Sequence, residues 1–318
     1  MKKNIRKKLI LISILSILIL SLLFLFLKDN TLTIGTGSEK GIYYPTGLAI
    51  SEIINKYSNY QSIAIPSKGS VYNVKEILQD NFTFGIVQSD VQHDAYTLGK
   101  TNLRALLSLH PETITLVASA QSNIKSVTDL KGKKVNLGND GSGHLQNAKT
   151  VLKIFDLTEK DLSPSYLNIM DSITALKNGE IDAYFYTIGH PDKTTYIATS
   201  SKIKTNLIPI SGPKIETYIK DHPYYTINII KKEFYPNSAN KTDIASFGVK
   251  ATLVTSAKVT DKIVYAVTKT IFTNLEKLKE SNPVLNNLTK KDMLKSLTAP
   301  IHPGALKYYQ EQGIIKPN

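Results

Sequence analysis

The 318-residue chain contains no cysteine. That excludes disulfides, thiolate catalysis, a lipid-modified cysteine anchor and the usual structural zinc sites, so stability must come from the core. Histidine is scarce too, with six scattered residues. Neither H-E-x-x-H nor G-x-S-x-G occurs, which leaves no zincin or hydrolase signature. The best metal-like grouping is Asp90, His93 and Asp94 on one helix face. Without a distant partner ligand it reads as a solvated face, and no metal or other cofactor is expected. Internal repeats and low-complexity segments are also missing.

What is abundant is positive charge and one apolar run. The net charge is +13, and Lys2, Lys3, Arg6, Lys7 and Lys8 supply five of it, leaving +8 for the rest. Leu9 to Leu27 then run 19 residues without a charge, long enough to span a bilayer. The leading charges keep that end cytoplasmic, so everything after Lys28 is expected outside. A cleaved signal peptide is the alternative, but the run ends in Phe24-Leu25-Phe26-Leu27-Lys28 rather than in a small-residue cleavage site. A retained membrane anchor is therefore the preferred reading of residues 1–28. A basic body outside the cell meets little nucleic acid, so an anionic ligand or membrane surface is the more natural partner.

Beyond the anchor, short apolar runs alternate with helical periodicity. "TLTIG" precedes Ile50, Ile53, Ile54 and Tyr57 at helix spacing, "SIAIP" precedes Val71, Val74, Ile77 and Leu78, and "TFGIVQ" follows. A second cycle begins at "KKVNLG", continues through Leu145, Ala148, Leu152 and Phe155, and returns to "IDAYFYTIG" after a helix around Ile173 to Lys177. Such alternation predicts a wound α/β fold in two units. Ile114 to Ala120 and Gly248 to Ser256 are apolar, β-rich and little punctuated, as expected of strands crossing between two lobes. After Thr260 the pattern is mostly helical, to about Glu280 and again near Lys291 and Leu306. In "HPGALKYYQEQG" a helix from near Pro303 packing Ala305 and Tyr308 or Tyr309 inward accounts for the histidine and tyrosines without a functional role.

Two glycine loops carry the chemistry. "GTGSEKG" (Gly35 to Gly41) and "GNDGSG" (Gly138 to Gly143) each follow a strand and precede a helix, where backbone N–H groups and the helix N-terminus favour an anion. The first misses the dinucleotide spacing by one residue and has Tyr57 where an acid is needed. Either loop alone is also explained as a tight turn. Two of them in two lobes imply a cleft, with Asn139, Ser142 and Gly143 facing Thr36, Gly37 and Tyr43. Gln88, Ser89 and Asp90 end one strand and Tyr186, Thr187 and His190 another, where open α/β sheets place ligand contacts. Ser89 or Asp90 also suits a helix cap.

These stretches, with "GSVYNVKEI", "FGIVQSDVQHDAY", "LRALLSLHPETITLVA", "SVTDLKGKKVNLGNDGSG" and "APIHPGALKYYQEQG", closely resemble the TAXI family of TRAP-transporter-associated extracytoplasmic solute-binding proteins, over about Leu32 to Gly313. The resemblance implies a two-lobed periplasmic-binding-protein fold of type II, and delivery of a small carboxylate such as glutamate, glutamine or a 2-oxo acid to a TRAP-type membrane permease. It adds Ser70 to the ligand-binding set. Glu39 and Lys40 depart from the family's small residues, which leaves the ligand's size and charge open. No counterpart is seen of the arginine that clamps a carboxylate in the other TRAP binding-protein family. The expected organisation is residues 29–117 plus 251–318 as lobe 1 and 118–250 as lobe 2, in a non-catalytic, extracytoplasmic monomer. The alternatives are an enzyme on the same scaffold, for which only His190 or Asp90 offers an acid or base, and an anchored surface antigen.

Overall fold

The computed structural model describes residues 31–316. The apolar run Leu9 to Leu27 lies outside the described residues; among them no helix is long and apolar enough to cross a membrane. The chain opens with β1 (Thr31–Gly35), α1 (Tyr43–Tyr57), β2 (Gln61–Ile65), α2 (Ser70–Leu78), β3 (Phe84–Gln88) and α3 (Ser89–Thr97). β1 pairs in parallel with β2 and β3, a geometry that needs the intervening helices as crossovers. The long strand β4 (Leu103–Ser119) leads into β5 (Lys134–Asn136), α4 (Gly143–Ile154), β6 (Ser163–Ser165), α5 (Ile169–Lys177) and β7 (Ala183–Ile188). Then come α6 (Lys193–Thr199), β8 (Thr205–Ile208), α7 (Pro213–Asp221), β9 (Thr226–Ile230) and the return strand β10 (Ile244–Ser256). Helices α8 (Asp261–Thr273), α9 (Leu275–Lys279) and α10 (Pro303–Glu311) finish the described chain.

All ten strands belong to one mixed sheet ordered β2-β1-β3-β10-β4-β7-β5-β6, with β9 on β10 and β8 on β4. Each half repeats one plan: two parallel neighbours around its first strand, then an antiparallel crossing strand. Apolar burial divides the same way. One core gathers Ile34, Ile50, Phe84, Leu109, Ala251, Phe272 and Tyr309. The other gathers Ile114, Val135, Leu152, Phe185, Phe247 and Val249. The change from one core to the other falls at His110–Thr113 on β4 and Lys250 on β10.

Both crossing strands are longer than their apolar stretches suggest, because β4 begins at Leu103 rather than Ile114. His110-Pro111-Glu112 interrupts the pattern in the middle. Pro111 has no N–H to give the ladder, and it sits opposite Lys250 beside a register shift between Lys250 and Thr252, the kind of irregularity at which a sheet tolerates proline. The helical stretch from Thr260 to about Glu280 is broken once: Asn274 leaves the helical conformation and its side chain donates to the Thr270 carbonyl at 2.8 Å. Near Lys291 the expected helix is only a three-residue 3-10 turn, Asp292–Leu294. At the C-terminus Ala305, Tyr308 and Tyr309 are all buried, so α10 packs as its pattern requires.

Candidate functional site: a cavity where five helices begin

Five helices begin at one cavity. Ile42 and Tyr43 start α1, Gly69 and Ser70 start α2, Gln88 precedes α3, Gly143 and His144 start α4, and Asn168 and Ile169 start α5; all line a space of about 390 Å³. Each strand-loop-helix unit turns at the same edge of the sheet, so the helix N-termini point to one place. The unpaired N–H groups of a helix start carry partial positive charge. In the second lobe Ser142 accepts from the Leu145 N–H and Asn168 from Met170 and Asp171. In the first, α1 and α2 have no side-chain cap, although the Tyr72 N–H in the first turn of α2 is taken by the Gly141 carbonyl.

Of the residues singled out from sequence, Gly37, Tyr43, Ser70, Gln88, Asn139, Gly143 and Tyr186 line this cavity. Both glycine loops border this cavity, although about a hundred residues separate them; the second one touches the start of α2, where Tyr72 N–H donates to the Gly141 carbonyl. Gly143 packs against Gln88 so closely that a Cβ there would overlap the Gln88 amide. The other five residues do not line it: Thr36, Ser89, Asp90 and Ser142 are buried and His190 is half-buried. Thr36 donates to the Ile65 carbonyl at 2.8 Å. Ser89 accepts from the Lys250 N–H at 3.2 Å. The Ser142 hydroxyl is occupied by the Asn139 carbonyl at 2.6 Å and by its capping bond. His190 bonds Thr115 and Tyr235, and burial depresses it to about 3. Asp90 is held by Asn147 and Tyr225. The acid and base an enzyme would have to use therefore do not open on the cavity. Exposed Glu39 and Lys40 line an adjoining groove with Asp192, Lys193 and Tyr196, which shares Gly41 and Ile42 with the cavity; neither charge is in the cavity lining.

Sequence reasoning missed Glu112. It lies in the crossing strand, 2% exposed, at the cavity wall, and the Tyr43 hydroxyl donates to its Oε2 at 3.0 Å. Burial pushes its carboxyl up to about 8, against the hydrogen bonds from Tyr43 and Gln88 that favour the anion. His144 is driven down to about 4 by burial, so it is neutral; its Nδ1 accepts from the Thr187 N–H at 3.3 Å. Two polar atoms on cavity-lining residues, Gln88 Oε1 and Thr187 Oγ1, are buried without a partner. A buried polar group left so costs about 1–3 kcal/mol until something bonds it. Lys68 is the only lysine or arginine in the lining.

The helix face of Asp90, His93 and Asp94 is not solvated, which corrects the reading from sequence. Asn147 of α4 and Tyr225 bond Asp90, Gln146 bonds Asp94, and the His93 ring stacks on Tyr224 with centroids 4.5 Å apart. This face closes one lobe on the other, helped by Tyr72 N–H donating to the Gly141 carbonyl at 3.0 Å. Burial raises Asp90 from its ordinary 3.8 to about 6. A folded-state pKa above the unfolded one means the native protein holds the proton more tightly, so this group costs stability as pH rises from about 4 to about 6. Urea unfolding of Asp90→Asn across that window should therefore show a smaller loss of stability with rising pH than the wild type. Parallel curves for the two proteins would refute the assignment.

Residues 34–313 match the NMT1-like family. The chain belongs to the NMT1-like family. Its fold recurs in solved structures of low identity. A protein of Bordetella bronchiseptica RB50 is 15% identical, with 90% of this chain and 98% of that one covered at a TM-score of 0.58. A putative L-cystine ABC transporter protein of Listeria monocytogenes is 16% identical, with 84% and 99% covered at 0.53. An ancestral arginine-binding protein bound to arginine is 13% identical, with 81% and 98% covered at 0.51. The NMT1-like chain thus has the two-lobed α/β periplasmic-binding-protein fold.

Proposed function

We propose that this protein is an extracytoplasmic, non-catalytic solute-binding protein that captures a small carboxylate between its lobes and hands it to a membrane transporter. The observation that carries the reading is the convergence of five helix N-termini on one cavity. Its volume of about 390 Å³ lies toward the small end of small-molecule sites, roughly 300–1,000 Å³. Backbone amides and neutral side chains would bind the carboxylate in place of an arginine clamp. Residues 29–117 with 251–318 and residues 118–250 act as the two lobes, and contacts to the guest from both stabilise the closed form. The resemblance to TAXI proteins supports a TRAP-type permease as the recipient.

Titration calorimetry of the soluble body against glutamate, glutamine, 2-oxoglutarate and simple amines tests the reading. A carboxylate should bind without added metal or nucleotide, and a preference for amines would sink the proposal. We further propose that Leu9 to Leu27 stays as an anchor, which raises the effective concentration of the binder near its permease. The protein should then fractionate with membranes, whereas a mature N-terminus near Asp29 would show that the segment is removed.

A further inference from the structure

We propose that Glu112 serves the cavity as an uncharged hydrogen-bond donor, so that the carboxylate is captured together with a proton held on this side chain. The inference rests on the carboxylate reading above and adds a proton to it. Geometry is the first support. Glu112 reaches the cavity from the crossing strand itself, paired with Val249 of β10, at the place where the two cores meet. Tyr43 donates to its Oε2 and Gln88 is a further partner of the carboxyl; protonated, the acid has an O–H to give to a guest at the cavity wall.

Charge is the second support. The groups around Glu112 are Tyr43 from α1, Asp90 at the start of α3 and Tyr186 from β7. His110 on its own strand is neutral, pushed down to about 4 by burial, and Lys250 on the paired strand gives its ammonium to the Asp292 carbonyl at 3.2 Å. Lys68, Asp140 and His144 lie elsewhere on the wall. No cation is among the groups acting on Glu112. Ionised, it would be a buried charge without a counter-ion and would repel an anion drawn in by the helix starts. Two carboxyl groups sharing such a space keep one proton between them, because both cannot ionise at close range. The free carboxyl already titrates near 8, and a guest anion beside it moves that value higher still.

The sign of the pH effect follows. Affinity for a carboxylate should be level below about pH 8 and fall above it, by up to about tenfold per pH unit, with uptake of up to one proton on binding. Glutamate and 2-oxoglutarate are the probes, titrated calorimetrically from about pH 6.5 to about pH 9 in buffers of different ionisation enthalpy so that protons are counted. Glu112→Gln, which mimics the protonated acid, should bind within about threefold of wild type near neutrality and show no fall at high pH. Proton release, or affinity that rises with pH, would overturn the proposal, because an ionised Glu112 would then be pairing with an ammonium group. A wild-type profile that is flat with no proton taken up overturns it too, while leaving carboxylate binding intact. If neither probe binds the wild type at any pH, the carboxylate reading itself has failed. The wild-type profile and proton count decide the matter even where the variant does not fold.

Discussion

Replacing Gly248 by valine should lower the melting temperature and weaken ligand capture together. Gly248 lies on β10 opposite Thr113, one residue from the partner of Glu112. A Cβ at this position would overlap the Glu112 carbonyl oxygen and come within 2.9 Å of Asn228 Nδ2. A carbonyl in a paired strand cannot rotate aside as a side chain can, so the two crossing strands must separate. Overpacking of this sort costs about 1–3 kcal/mol. At roughly 2–4 °C per kcal/mol for a body of this order of size, the loss is several degrees. The same displacement moves Glu112 and the change-over between lobes, so affinity for glutamate or 2-oxoglutarate should drop as well. Calorimetric melting combined with ligand titration checks both effects. Wild-type melting with wild-type affinity would mean that the strands do not approach as described.

The second large effect is expected at Gln88. Its side chain is 1% exposed, borders the cavity and leaves Oε1 without a partner. An amide oxygen only accepts, so its partner would be the ammonium of glutamate or glutamine rather than the carboxylate. Losing it costs on the order of 1.5–3 kcal/mol, so Gln88→Ala should weaken binding of these two roughly tenfold to hundredfold. Some stability of the unliganded protein should be lost as well, because Gln88 is buried and also bonds Glu112. Ser142→Ala is the contrasting variant. Its hydroxyl caps α4, so losing it should cost about 1 kcal/mol of stability and change affinity less than Gln88→Ala. If Ser142→Ala weakens binding and Gln88→Ala does not, the guest sits behind the loop rather than in the cavity.

The two glycine loops show how far local pattern reaches. A strand, a glycine turn and a helix are specified within 27 residues in one unit (31–57) and 21 in the other (134–154), and both units fold where their apolar spacing places them. Hydroxyls near those loops were harder to assign, because a serine at a helix start looks the same whether it caps the helix or meets a ligand. Ser142 caps; Ser70 accepts from the Gln88 N–H at 3.1 Å and still borders the cavity.

By itself, then, the sequence determined the α/β alternation, its repeat in two units and the two glycine loops between strand and helix. Those depend on hydrophobic period and turn chemistry, which are local. Tertiary structure alone decided which polar side chains line the cavity. The face of Asp90, His93 and Asp94 has the pattern of a solvated helix surface, and only the docking of α4 and Tyr224 against it removes the water. Glu112 belongs to no local motif, and Pro111 beside it hides the strand that carries it. Its raised pKa arises from burial among α1, β7 and β10, elements far apart along the chain. Desolvation is a property of the assembled neighbourhood, so a stretch such as "LHPETI" holds no sign of it.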